Sequence, residues 1–287
     1  MKKILVPTDL SEISVNALKL AVEVAEKSRG EIYLVNFLDH PLGRGFNTMG
    51  EVDQQLVDEE NFYMIKLIKK TTDRVAQIAA SFDHTSIKIH HEVFDEDFDD
   101  GIVMYAKEKE IDLVVMGTTG EESAEEIFTG NHTERTIEKV GCPVLSIKEN
   151  HGWSNLKHIV LGVDLDQTED DKMDTAIGYL NDFAVSLDAK IDVVHVANTG
   201  KASRSVQEKQ LVNFADRHGL LNYNVTVTEN DDKEQGLIAF ALAKNAGVLS
   251  VLSYTDGGFF KIFSKSTSVE LSKDAQLPVL TINLNNI

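Results

Sequence analysis

The chain is poor in cysteine and in positive charge, and it has no long apolar run. One cysteine, Cys142, in 287 residues excludes an intrachain disulfide and suits a reducing compartment. Lys and Arg total 28 against 47 Asp and Glu, a formal charge of −19. Such a surface repels the phosphates of DNA and RNA and anionic lipid heads, which argues against nucleic acid as a partner. The plainest reading of the charge is solubility, including in a salty cytoplasm. The opening MKKILVPTDLSE holds two lysines and a four-residue apolar run, too short for a signal peptide. No later run approaches the length that spans a bilayer, so the expectation is a cytoplasmic protein without membrane insertion. The phosphate-loop pattern ending Gly-Lys-Ser/Thr is absent, and no Ser-His-Asp or Cys-His grouping has supporting context.

What is present is present twice. KILVPTDL (Lys3 to Leu10) matches HIVLGVDL (His158 to Leu165), and each apolar run ends near an aspartate. EIYLVNF (Glu31 to Phe37) matches KIDVVHV (Lys190 to Val196), and CPVLSIK (Cys142 to Lys148) matches LPVLTIN (Leu277 to Asn283). Similar lengths of helical pattern separate these markers. A polar link around residues 149–155 predicts two copies of one domain, about 1–150 and 151–287.

Within the first copy, strands are predicted at Lys3–Pro7, Glu31–Phe37, Ser86–Glu92, Asp112–Gly117 and Pro143–Lys148. Helices are predicted at about Ser14–Lys27, Asp53–Ala80, Asp99–Lys109 and Thr133–Val140. The strand runs are mostly apolar rather than alternating, as in strands covered on both faces. Strand–helix alternation then implies an α/β fold with a doubly wound parallel sheet in each copy. Asp9 or Ser11 is placed to cap the first helix, and Glu12 stands three residues after Asp9 in capping-box spacing. The glycine-rich stretch Asp39–Gly50 reads as a loop over the sheet edge. The amphipathic stretch from Val52 to Ala80 reads as a core-packing helix.

Ligands of parallel α/β sheets bind beyond the carboxyl ends of the strands, where the strand order reverses. Two features fall there: Pro7-Thr8-Asp9 after the first strand, and the loop from Met116 that contains Gly117, Gly120 and Gly130. Glycines allow a backbone to approach phosphate oxygens closely, and a helix starting near Asn131 adds free N–H groups and its dipole. The amides of Gly117, Gly120, Gly130, Asn131 and His132 can therefore form an anion cradle, with Asp9 accepting from a ribose hydroxyl or orienting the adenine end. A turn-only role for the glycines stays open.

The pattern Gly117-x2-Gly120-x9-Gly130, after an apolar strand and before PVL, resembles the ATP-binding signature of the universal stress protein family, as does the opening KILVPTDLSE. Because both halves carry the markers, the chain resembles a tandem member. The resemblance implies two five-stranded, nucleotide-binding sheets of the adenine-nucleotide hydrolase-like class, paired through their last strands as an internal pseudo-dimer. It implies ATP, with or without Mg²⁺, as the ligand. Adenine and ribose would lie near Pro7, Thr8, Asp9 and Phe37, phosphates near Gly117, Gly120, Gly130, Asn131 and His132, and Met116 would also belong to the ATP site. Asn131 stands where the family usually has serine or threonine, and an amide can still donate there. Glu121, Glu122, Glu125 and Glu126 oppose a bare triphosphate unless they face solvent or a Mg²⁺ bridges them. In the second copy Asp164 matches Asp9, but Lys265 falls where Gly130 stands, so the signature is degenerate and no ATP is expected there. Lys261, Lys265, Ser266 and Thr267 leave another anion open.

Other polar features are read as structural. His90 and His91, adjacent on a strand, point to opposite faces and do not share a metal. The run DEDFDDG (Asp95 to Gly101) lacks the glycine and glutamate positions of a calcium loop and reads as a solvated acidic turn before a helix. Asn36 and His195 share one place in the second strand of each copy and read as packing. Cys142 reads as a buried thiol and Trp153 as a contact between the halves. Three functions fit: a non-enzymatic stress-response regulator binding an adenine nucleotide in its first half, a slow ATPase, and a scaffold for a basic protein partner. No catalytic or metal-binding residue is assigned, and homodimerisation stays open.

Overall fold

The computed structural model describes residues 1–38, 54–118, 129–148, 155–165, 171–198, 203–253 and 277–287. The first half contains β1 (Lys3–Pro7), α1 (Glu12–Ser28), β2 (Glu31–Phe37), α2 (Gln54–Ala80), β3 (Ile89–Phe94), α3 (Phe98–Glu108), β4 (Leu113–Thr118), α4 (Thr129–Lys139) and β5 (Val144–Lys148). The second half contains β6 (His158–Gly162), α5 (Met173–Leu187), β7 (Lys190–Ala197), α6 (Arg204–Arg217), β8 (Tyr223–Glu229), α7 (Lys233–Ala243), β9 (Val248–Ser253) and β10 (Val279–Asn283).

All ten strands form one sheet in the order β3-β2-β1-β4-β5-β10-β9-β6-β7-β8. Every neighbouring pair is parallel except β5 with β10, which is antiparallel. The order 3-2-1-4-5 is therefore followed by its mirror, and the halves meet through their last strands. Leu145 pairs with Leu280, Val144 with Thr281 and Ser146 with Val279. Since Leu145 and Leu280 are equivalent positions of the repeated PVL tract, a local two-fold axis passes between them.

Burial follows from this closure. On one face of the sheet a single core runs through both halves, from Ile4, Leu18 and Leu34 to Ile159, Leu180 and Ile282, and α1 packs against α5 across the axis. The other face carries two separate cores. One gathers Leu5, Val35, Ile102, Met116 and Ile137, and the other Val160, Val194, Leu237 and Val251. Alternation within β2 divides its residues between these layers: Ile32 and Leu34 enter the shared core, while Tyr33, Val35 and Phe37 pack on the first half's own.

Several elements differ from their predicted bounds. The third strand begins at Ile89 and ends at Phe94, not Ser86 to Glu92. Thr85 turns the chain first, its hydroxyl donating to Phe82 O at 2.8 Å and accepting from Ile87 N at 3.4 Å. The capping box of Asp9 and Glu12 does not form. Ser11 caps α1, its hydroxyl accepting from Ser14 N at 3.2 Å, and Asp9 bonds Ser11 instead. The acidic turn is not fully solvated: Asp97 caps α3, and Asp99 is only 9% exposed. The Asp39–Gly50 loop, Gly120, the loop glutamates, Trp153 and the Lys261–Thr267 segment lie outside the described residues.

Candidate functional site

In each half the strand order reverses beside the first strand. β1 has β2 on one flank and β4 on the other, and β6 likewise lies between β7 and β9. The two crevices open at the carboxyl ends of these strands, on the faces that carry the separate cores. Of the predicted site residues, Pro7, Thr8, Asp9, Phe37, Met116, Gly117 and His132 are brought to one end of the first half's sheet. Gly130 and Asn131 lie in the first turn of α4 by backbone.

Local chemistry fixes the turn after β1. Thr8 N donates to Val35 O at 2.8 Å, and Asn36 Nδ2 donates to Thr8 O at 2.6 Å. The Thr8 hydroxyl lies 2.9 Å from Ser14 Oγ and accepts from Leu10 N at 3.1 Å. Leu10 itself takes a left-handed φ of 69°, which turns Asp9 outward. Asp9 Oδ1 accepts from Ser11 N at 3.0 Å and Ser11 Oγ at 2.5 Å. The carboxylate is thus oriented, exposed and without a cation partner among the described residues.

An aromatic cluster gathers at the carboxyl ends of β2 and β3. The Phe37 ring stacks on Phe94 at 5.9 Å and meets the edge of Phe98 at 5.7 Å; Phe98 packs on His132 at 4.3 Å. Phe37 also closes on Gly101 of α3, where a Cβ would sit 2.6 Å from the ring. Gly117 faces the opposite way. A Cβ there would sit 2.2 Å from Ile13 Cγ2 and 2.9 Å from Ile13 O, so its first duty is to let α1 lie against the end of β4. Asn36 Oδ1 and Thr133 Oγ1 are buried side-chain oxygens without a hydrogen-bond partner among the described residues.

The second half has the same frame and a different filling. Asp232 caps α7 as Asp97 caps α3. Gly236 approaches Val196, with a Cβ position 2.6 Å from its side chain, as Gly101 approaches Phe37. His195 Nδ1 lies 3.1 Å from Val163 O, as Asn36 reaches Thr8 O. Counting from these caps, Lys233 stands where Phe98 stands. Its ammonium pairs with Asp164 Oδ2 at 2.9 Å, with the carboxylate side chain 13% exposed. Leu237 lies against Gly162, and the remaining cavity among Gly162, Asp164, His195 and Lys233 is ≈10 Å³, room for one water at most.

Sequence reasoning missed Phe98, Asp99 and Lys233. The signal was available: Asp97-x3-Gly101 and Asp232-x3-Gly236 repeat with the strands, and that alignment sets phenylalanine against lysine.

A parallel-dominant α/β sheet whose order reverses at two first strands defines a doubly wound protein. The family model described as the universal stress protein family matches residues 1–148, and the chain belongs to that family. Universal stress protein MJ0531 of Methanocaldococcus jannaschii is 34% identical over 150 residues, covering 52% of this chain and 82% of the relative. Universal stress protein MJ0577 of the same organism is 25% identical over 156 residues, covering 52% and 96%. The crystal structure of a universal stress protein from Archaeoglobus fulgidus superposes with a TM-score of 0.61 over 98% of this chain and 96% of its own, at 17% identity. That likeness concerns the fold.

Proposed function

We propose that the protein is a nucleotide-binding regulatory member of its family that holds one adenine nucleotide, ATP with or without Mg²⁺, in its first half and none in its second. The asymmetry of the two aspartates carries the reading: Asp9 is exposed and free of any described cation, whereas Asp164 is ion-paired to Lys233 beneath Leu237. In the first half, taken as domain 1–150, Asp9 accepts from the ribose, Pro7, Thr8, Phe37 and Met116 line the base side, and Gly117, Gly120, Gly130, Asn131 and His132 offer amides to the phosphates. An oriented carboxylate after β1 and the amide end of α4 are the groups that would meet the ribose and the phosphates of such a ligand. In the second half, taken as domain 151–287, Lys233 supplies internally the positive partner of the aspartate and fills the space. Regulation then follows occupancy rather than turnover, in the cytoplasm, with a protein partner reading the occupied state.

Thermal unfolding tests this. A ligand at 100 times its Kd stabilises the native state by about 2.7 kcal/mol, which raises Tm by several degrees. Mg-ATP should raise the Tm of the wild-type chain and leave that of Asp9→Ala nearly unchanged. An unmoved wild-type Tm at saturating Mg-ATP contradicts the reading, and phosphate release above background contradicts the absence of turnover.

A further inference from the structure

The acidic turn contains one carboxylate that the nucleotide reading does not use. Asp99 is the second residue of α3, and its own amide donates to Asp97 Oδ1 at 2.9 Å. Three side chains of α4 converge on it: Arg135 Nη1 at 2.9 Å, His132 Nδ1 at 3.2 Å and Lys139 Nζ at 3.6 Å. Their spacing places them along a single face of the helix. The Asp99 side chain is 11% exposed, whereas those of Arg135 and Lys139 are 48% and 44% exposed. The carboxylate is therefore the fixed point, and the helix side chains reach to it. His132 is further held by the Phe98 ring at 4.3 Å, and its carbonyl accepts from Thr136 Oγ1 at 2.7 Å. His132 and Arg135 lie in the first two turns of α4, beside the amides of the proposed cradle, and Lys139 is the helix's last residue.

We propose that Asp99 is a positioning residue: by clamping His132, Arg135 and Lys139 it fixes the direction of α4's amino end, and through it the affinity for the phosphates of a bound nucleotide. This rests on the nucleotide reading above. The electrostatic consequence has the opposite sign, which makes the two separable. Replacing Asp99 by asparagine removes a negative charge near the phosphate side, and charge alone then tightens binding of an anion. Loss of aim weakens it, because amide donors count only when directed at the oxygens they meet.

The test is calorimetric titration of the full chain with Mg-ATP and with adenosine, for wild type and Asp99→Asn, together with amide hydrogen exchange over residues 129–136. The expected result is an ATP affinity about tenfold weaker, adenosine affinity within about twofold, and faster exchange in α4 with the sheet unchanged. Tighter or unchanged ATP binding overturns the inference alone, as does an equal loss for ATP and adenosine. Absence of ATP binding by the wild-type chain overturns it together with the nucleotide reading. If Asp99→Asn does not fold, Arg135→Gln carries the test through exchange: faster exchange over 129–136 supports the clamp, and unchanged exchange overturns it.

Discussion

Single residues decide what each crevice of the sheet is able to hold. Phe98 and Lys233 occupy one position of the repeat, and the change from ring to ammonium moves an aspartate from open to paired. Glycines show why a residue's first role must be found in its packing. Gly117 belongs to the phosphate-loop pattern, yet its missing Cβ is also what admits Ile13. Because part of the obstruction is Ile13 backbone, a methyl group there cannot be accommodated by a side-chain rotation. Gly117→Ala should therefore destabilise the nucleotide-free protein by about 1–3 kcal/mol, read from urea unfolding. A purely ligand-facing glycine would leave that stability unchanged.

Elements carry the acid sensitivity, since the buried carboxylates tie one element to another: Asp99 joins α3 to α4, and Asp192 joins β7 to β6 and β8. Burial acts to raise the pKa of Asp99, but the bonds from His132 and Arg135 and the charges of Lys139 and Arg135 prevail and hold it below the usual carboxylate value. Asp192 of β7 behaves alike: burial raises it, while Asn224 and His158 prevail and lower it. A carboxylate depressed in the folded state contributes stability above its unfolded pKa of about 4, lost as pH falls through the folded value. Asp99→Asn should thus cost stability at pH 7, and the deficit against wild type should shrink toward zero below about pH 4, measured by urea unfolding across pH. Elements were also what the sequence made legible. The bounds of β1 and β2 could be read directly because apolar runs end at Pro7 and Phe37. The third strand could not, since an edge strand with half-buried residues on both faces leaves no sharp pattern to end on. The α3–α4 clamp was hidden for another reason: it joins residues 36 apart, and a run of acids looks the same whether one of them is buried or none.

At the scale of the molecule, the repeat showed two copies of one domain, and the meeting of PVLSI and PVLTI at the β5–β10 pair followed from the family resemblance; the near-identical tracts suit a two-fold axis because related strands are self-complementary across it. What the repeat did not reveal is that the core on one face is continuous through both halves. A shared core couples their unfolding. Calorimetry should give one transition with equal calorimetric and van't Hoff enthalpies, and Leu145→Ala, on the axis and fully buried, should lower stability by about 2–5 kcal/mol without splitting that transition. Two separate transitions would show that the halves fold independently. The account turns on one crevice being open and the other filled by its own lysine. Native mass spectrometry of the full chain titrated with Mg-ATP tests it most directly: one nucleotide per chain is the predicted result, and two per chain, or none at saturating concentration, would contradict it.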